Sequence, residues 1–211
     1  MAAPSIPLHP ETVELRTNVD WDTYVQFNDS LDTCGIRLTY HEGNLEIMTV
    51  SGDHDGVNRL IASLFENLAE GLEIDFKNFG GTTHRSRKAQ TGFEPDTCFY
   101  VTNLDYRFKP GPIILPRDPA PDLIIEVDIS RSSLNKMKAY AAVGCREGWR
   151  YHDGHLTLFA LAPGQVEIVS ASAVLPGVSV DDLNILLAKA SEMPRIKWAP
   201  FVRNWARTRR A

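Results

Sequence analysis

A single carboxylate inside an apolar run constrains this chain more than any other feature of its sequence. Glu126 lies within Leu123–Val127, a short segment rich in β-branched residues that follows Pro121. Such a run is typical of a central strand that is covered on both faces. An unpaired charge at that position costs at least several kcal/mol unless a cation meets it. The sequence therefore predicts a cationic partner for Glu126.

A second carboxylate occupies a comparable position. Asp96 begins another β-rich segment, which runs to Val101. Two neighbouring strands that present acids at one end are a typical way of holding a hard divalent cation. Asp96 and Glu126 are therefore the candidate metal ligands, and we expect their carboxyl groups to lie close enough to share one ion.

The composition is that of an ordinary globular domain. The chain has 211 residues, of which 43% are hydrophobic and 23% charged, and this favours a single domain over residues 1–211. No apolar run is long enough to span a bilayer, and the first residues lack the features of a secretory signal. The odd number of cysteines, Cys34, Cys98 and Cys145, favours a reducing cytoplasm and core thiols without metal-ligand spacing.

Charge is distributed unevenly along the chain. The net charge of -5 at pH 7 gives no global attraction to nucleic acid, so any such binding must use local patches. Six basic residues and no acid occur between Pro194 and Ala211, interleaved with aromatic residues. Two interpretations of this segment stay open: a helix that contacts phosphates, or a helix docked by its aromatic residues with a solvated basic face. A shorter basic stretch, residues 84–88, is predicted as a loop.

Hydrophobic periodicity and turn signals predict the order of the elements. The first predicted elements are a short helix capped by Asp20, a β-hairpin of residues 36–40 and 45–48, and an amphipathic helix over Val57–Leu68 that is ended by Gly71. A strand over Leu72–Phe79 follows, and then two strands that begin at Asp96 and Leu123 and are separated by a Pro-rich loop over Lys109–Pro121. The last elements are a helix from Ser132 or Ser133 to Val143, a hairpin that begins at Trp149 and turns at Asp153-Gly154, and a helix over Asp181–Ala190. From the amphipathic helix to Trp149 the order is helix, three strands, helix, strand.

This order resembles the restriction-endonuclease-like core of the PD-(D/E)XK nuclease superfamily. The chain is similar, more narrowly, to a large bacterial family of restriction-endonuclease-like proteins long catalogued as of unknown function. The likeness is carried by four segments in order: Leu38–Met48, Gly92–Tyr100, Pro121–Ser133 and Lys136–Gly144 running on to Trp149. They lie within residues 20–160. The resemblance implies an α/β fold with an αβββαβ core and a mixed central sheet flanked by helices, to which the N-terminal helix and the β-hairpin are additions.

The resemblance also implies roles for individual residues. It makes Asp96 the first metal ligand and Glu126 the acid of the (D/E)XK element. Mg²⁺ or Mn²⁺ held by these two carboxylates could take the Val127 carbonyl as a further ligand. The superfamily pattern places a lysine two residues after Glu126, where this chain has Asp128. Lys136, on the following helix, is then the candidate replacement.

Helix geometry distinguishes Lys136 from its neighbour. Lys136 and Tyr140 fall on one face at i and i+4, so a helix that buries Tyr140 against the sheet directs Lys136 inward and Lys138 away. We therefore expect the ammonium of Lys136 to be directed at the acid pair.

Other residues keep alternative interpretations. Asp128 is either a further ligand or a salt-bridge acid, and Glu126 could instead pair with a structural arginine such as Arg131. Glu46 on the hairpin and His54 before the amphipathic helix either reach the site or are structural or solvated.

The function implied by the resemblance is a metal-dependent endonuclease that hydrolyses phosphodiester bonds, with DNA as the expected partner and Mg²⁺ or Mn²⁺ as cofactor. An alternative keeps the fold but makes the protein a nucleic-acid-binding or assembly module that lost catalysis with the strand lysine. A hydrolase of small substrates is a third class, which the lack of a phosphate-cradling Gly loop, nucleophile elbow or zinc motif disfavours. The sequence does not determine the oligomeric state, and a homodimer is possible.

Overall fold

The structure, a computed structural model, describes residues 12–31, 35–106, 111–128 and 135–209. Five helices are found in this part of the chain: α1 (Trp21–Ser30), α2 (Gly52–Leu72), α3 (Lys136–Ala142), α4 (Val180–Glu192) and α5 (Arg195–Arg207). The strands in the same part are β1 (Val13–Arg16), β2 (Ile36–His41), β3 (Asn44–Thr49), β4 (Lys77–Asn78), β5 (His84–Ser86), β6 (Thr91–Phe93), β7 (Thr97–Tyr100), β8 (Ile113–Ile114), β9 (Leu123–Asp128), β10 (Glu147–His152), β11 (His155–Ala162) and β12 (Gln165–Val169).

The strands form two six-stranded sheets. Sheet A has the order β1-β3-β2-β6-β5-β8, and sheet B has the order β12-β11-β10-β9-β7-β4. In sheet B the β9–β10 pair is parallel and the neighbouring pairs are antiparallel, so this sheet is mixed, as predicted. Sheet A goes beyond the predicted hairpin. The segments 84–88 and 109–121, interpreted as loops, contribute β5 and β8. β5 pairs with the nearby β6 on one side and with β8, which is distant in sequence, on the other.

β9 lies in the middle of sheet B, and every one of its residues is buried. On one face, Phe65 of α2 packs against Trp149 and Phe99. On the other face, Tyr140 and its neighbours on α3 pack against Ile124 of β9. The covered central strand predicted from Leu123–Val127 is confirmed, and the buried acid on it needs a partner.

Helix α2 is longer than its apolar pattern predicts. It begins after the N-cap Ser51 and runs through Gly71 to Leu72, and Glu73 takes the left-handed conformation at φ 60°. The prediction that Gly71 ends the helix is wrong. Gly71 is instead a close-packing position, because a Cβ there would lie 2.5 Å from the Cβ of Ala206 on α5.

Two other predicted boundaries are corrected. The strand expected over Leu72–Phe79 is reduced to β4, because only Lys77 and Asn78 pair with β7. Helix α3 begins at Lys136 with Asn135 as its N-cap, whose side chain accepts from the Lys138 amide. The caps predicted at Ser132 or Ser133 lie outside the described residues.

The basic C-terminal segment forms α5, which docks along α2. Trp198, Val202 and Ala206 are buried in the main core. Arg195 donates to Ser63 at 2.6 Å, and Arg203 donates to the side chain of a second α2 residue. Of the two interpretations of this segment, the structure supports the docked helix. No helix in the described part of the chain combines the length and apolarity needed to cross a membrane.

Candidate active site

Asp96 and Glu126 meet on neighbouring strands of sheet B. The register pairs Thr97 with Ile125 in an antiparallel ladder, so the residue before Thr97 stands opposite Glu126 on the same face of the sheet. The side chains are buried, at 4% and 1% exposure. Asp96 Oδ2 also accepts a 2.8 Å hydrogen bond from the Val127 amide. The two strands thus bring the predicted acid pair together, with the backbone of Val127 in contact with Asp96.

The first turns of α2 position Asp96. Its Oδ2 lies 3.1 Å from Nε2 of His54, which is itself buried. One turn later on the helix, Asn58 donates to the Asp96 carbonyl at 3.0 Å and accepts from the Thr97 hydroxyl at 2.9 Å. Ser51 caps the helix by accepting from the His54 amide. His54 therefore reaches the site, the first of the two alternatives left open for it.

Helix α3 supplies two partners to Glu126. Lys136 Nζ donates to Oε2 at 2.8 Å, and the Tyr140 hydroxyl donates to Oε1 at 2.6 Å. Both residues lie on the buried face of the helix at i and i+4 spacing, whereas Lys138 is exposed. The cation that Glu126 requires is thus Lys136. The alternative partner Arg131 lies outside the described residues.

Burial dominates the ionisation of this pair. Removal from water raises the pKa of Glu126, the charge of Lys136 opposes that rise, and the charge of Asp96 adds to it. Burial by itself would lower the pKa of Lys136, but attraction to Glu126 first, and then to Asp96, raises it. Burial, and then the charge of Glu126, raises the pKa of Tyr140. Lys136 is therefore held as an ammonium.

Glu46 reaches the site from sheet A. Its Oε1 lies 3.7 Å from Lys136 Nζ, and the residue is 1% exposed. Glu46 stands opposite Thr39, which also pairs with Phe93. The Phe93 ring packs edge-on against Tyr140, with centroids 4.7 Å apart. These contacts show that one face of sheet A lies toward the acid pair. Glu46 is on that face and is therefore not solvated.

Asp128, at the position where the superfamily pattern has lysine, is a salt-bridge acid in this structure. Its Oδ2 accepts from Arg150 Nε at 2.5 Å, and its carbonyl is 3.0 Å from Nδ1 of His152. Arg150 stands beside Glu126 in the parallel β9–β10 register, and its side chain is 38% exposed. A cation therefore lies next to the acid pair, at the partly exposed edge of the site.

The charges of the site suit a divalent cation. Asp96 and Glu126 are both buried, and the one ammonium that contacts this acid pair within the described residues, Lys136, is bonded to Glu126 and not to Asp96. Asp96 Oδ1 accepts no hydrogen bond from the part of the chain that the structure describes. Within the same part, no group of three His, Cys, Asp or Glu side chains is placed to hold a metal. Mg²⁺ usually takes one or two carboxylates, with water and substrate phosphate as the other ligands, so this donor set fits it.

Sequence reasoning did not assign three residues that contact the site. Tyr140 was predicted to be buried but not to bind Glu126, and Asn58 and Arg150 were not singled out. Helical spacing was an available signal for two of them, since Asn58 is four residues after His54 and Tyr140 is four after Lys136. No sequence signal gave Arg150, because its position depends on the register of two strands.

Comparison with known proteins identifies the family of this chain. Residues 21–187 match the profile of the Uma2 family, described as "Putative restriction endonuclease". This chain belongs to that family. Among solved structures, a protein of the family DUF820 from Anabaena variabilis ATCC 29413, described as a putative nuclease, is 20% identical, with a TM-score of 0.54 over 80% of this chain and 99% of that chain. At this identity the likeness shows a shared fold, and the predicted restriction-endonuclease-like class is confirmed. No curated protein matches the chain.

Proposed function

We propose that this Uma2-family protein is a metal-dependent endonuclease that hydrolyses phosphodiester bonds in DNA. One observation carries the proposal: two buried carboxylates face each other on adjacent strands, with one buried ammonium bonded to the second. Lys136 is bonded to Glu126, whereas Asp96 contacts no ammonium or guanidinium within the described residues. Buried excess charge is costly unless a cation meets it.

Asp96, Glu126 and the Val127 carbonyl are the residues that would hold Mg²⁺ or Mn²⁺. When bound, the ion would neutralise charge on the phosphate and supply hydroxide at neutral pH. His54 would hold Asp96 in place through its Nε2, and Tyr140 would hold Glu126 through its hydroxyl. Fixing both carboxylates keeps the ligand geometry the same before and after substrate binds.

Lys136 would stabilise the negative charge that develops on the phosphate and orient the attacking water. Its ammonium is already fixed by Glu126 at 2.8 Å and stays protonated because the surrounding acids raise its pKa. A helix lysine can thus do what the superfamily pattern assigns to a strand lysine. The position two residues after Glu126 is occupied by Asp128, which neutralises Arg150.

Cleavage of supercoiled plasmid with Mg²⁺ or Mn²⁺ tests this proposal. We expect the wild-type protein to nick or linearise the plasmid, and a chelator to stop it. Glu126→Gln should abolish cleavage, and Lys136→Met should reduce it by about 100-fold or more. Lys138→Met is the matched control, because Lys138 is exposed on the same helix, and it should cleave like wild type.

A second function fits one observation. The strand lysine is replaced by an acid that is bound to Arg150, which also suits a nucleic-acid-binding module without catalysis. DNA binding without cleavage in either metal would select this function over the endonuclease. Equal cleavage by the Lys136 and Lys138 variants would contradict the role given to Lys136.

A further inference from the structure

An arginine on the same face of sheet A as Glu46 has no ion-pair partner within the described residues. Arg37 of β2 stands opposite Met48 of β3, and the next pair on the same face of these strands is Thr39 and Glu46. Because side chains two residues apart on a strand share a face, Arg37 projects from the face of sheet A that carries Glu46. This face is turned toward Lys136, whose ammonium is 3.7 Å from Glu46. Arg37 therefore points into the space between the two sheets.

Two close contacts locate the guanidinium of Arg37. A Cβ added at Gly81 would lie 3.4 Å from both Nε and Cζ of Arg37, and 2.9 Å from the carbonyl oxygen of Pro95. Pro95 directly precedes Asp96, the first candidate metal ligand. The charged end of Arg37 thus lies against Gly81, close to the backbone that begins β7. Glycine at position 81 leaves this space open, since any other side chain would collide with the Pro95 carbonyl.

Hydrogen-bond donors on Arg37 are largely unused. Its Nε is buried and has no hydrogen-bond partner among the residues that the structure describes. Its single hydrogen bond to the described residues is a long one, 3.4 Å from NH1 to the Ile36 carbonyl, and none of their carboxylates forms an ion pair with it. Arg150, which stands beside Glu126, is by contrast bound to Asp128. A guanidinium has five N–H donors, and a buried donor left unpaired is destabilising, so Arg37 is prepared for an acceptor from outside the protein.

We propose that Arg37 binds a phosphate of the nucleic-acid strand next to the bond that is cleaved. The planar guanidinium matches two phosphate oxygens at once, and the cation would offset the repulsion between the DNA backbone and the buried acids. This inference rests on the proposed function, because the choice of phosphate over another anion follows from the neighbouring metal-ligand carboxylates. Arg37 is a substrate-binding residue in this scheme, and it takes no part in proton transfer.

Binding of DNA at several salt concentrations tests the inference. Fluorescence anisotropy of a labelled duplex is measured in a Glu126→Gln background with Mg²⁺, so that cleavage does not interfere. We expect Arg37→Gln to weaken binding about tenfold and to reduce the slope of log K against log salt by about 1. Arg37→Lys should restore the slope but only part of the affinity, because it keeps the charge and loses the planar fork.

The matched control is Arg87→Gln, which removes one exposed positive charge paired with Asp22 of α1. It should leave the slope and the affinity unchanged. Unfolding in urea separates binding from a structural role: Arg37→Gln should unfold at the same or a higher urea concentration, because within the described residues it loses only the long hydrogen bond to the Ile36 carbonyl. A lower midpoint would show that Arg37 supports the fold.

The outcomes distinguish this inference from the proposed function. If the wild-type protein cleaves DNA and Arg37→Gln binds with the affinity and slope of Arg87→Gln, the inference is wrong and the endonuclease proposal stands. If the protein neither binds nor cleaves DNA, the proposed function fails and the role of Arg37 fails with it.

Discussion

Replacing Lys136 with methionine tests the energetics of the buried site directly. Its ammonium lies 2.8 Å from Glu126 and 3.7 Å from Glu46, and the side chain is 7% exposed. At an effective dielectric constant of about 20, attraction at the shorter distance is about 6 kcal/mol, most of which offsets the cost of burying the charges. Methionine fills a similar volume but removes the ammonium that is bonded to Glu126. We expect the free energy of unfolding at pH 7 to fall by about 3–5 kcal/mol.

The loss should depend on pH in a definite direction. Burial already raises the pKa of Glu126, and Lys136 opposes that rise, so removing the ammonium raises this pKa further. The native state then binds a proton that the unfolded chain releases, and stability falls as pH rises through the interval between the two pKa values. The destabilisation should therefore shrink as pH falls from neutrality toward the ordinary pKa of a glutamic acid.

Urea unfolding followed by tryptophan fluorescence measures these changes by linear extrapolation. Lys138→Met is the control, because Lys138 is exposed, and it should alter stability by less than about 0.5 kcal/mol. The double variant Glu126→Gln/Lys136→Met should recover most of the loss, because it removes both charges and keeps an acceptor for Tyr140. Equal stability of the two lysine variants, or a double variant no better than Lys136→Met alone, would refute this account.

Three further predictions concern packing, pH and metal. Gly71→Ala should destabilise the fold by about 1–3 kcal/mol in urea unfolding through collision with Ala206, whereas Gly56→Ala, with open space around it in the same helix, should stabilise by about 0.4–1 kcal/mol. Burial lowers the pKa of His84 to about 4, so stability should fall by up to about 3 kcal/mol as pH drops from about 6.5 to 4; a His84→Gln variant with the same pH profile would contradict this. Mg²⁺ at 100 times its Kd should stabilise the wild type by about 2.7 kcal/mol, and Asp96→Asn should lose that gain in a thermal melt.

The sequence by itself determined the elements that have strong local periodicity. The continuous apolar run of β9 identified a buried central strand, and the spacing of the apolar residues identified α2, because these patterns follow from backbone geometry alone. A buried acid on such a strand must have a partner, so Glu126 marked the site without any knowledge of the fold. The helical period also directed Lys136, and not Lys138, toward it.

The tertiary structure decided everything that depends on pairing between distant segments. Strands as short as β5, β6 and β8 have too few residues for a pattern, and they exist because sheet A supplies their hydrogen bonds. Glu46 and Arg37 reach the site only because this second sheet faces the first, which no local signal encodes. Asp128 was ambiguous in sequence and is paired with Arg150, since register between strands is fixed by the packing of whole faces and not by the residues that happen to meet.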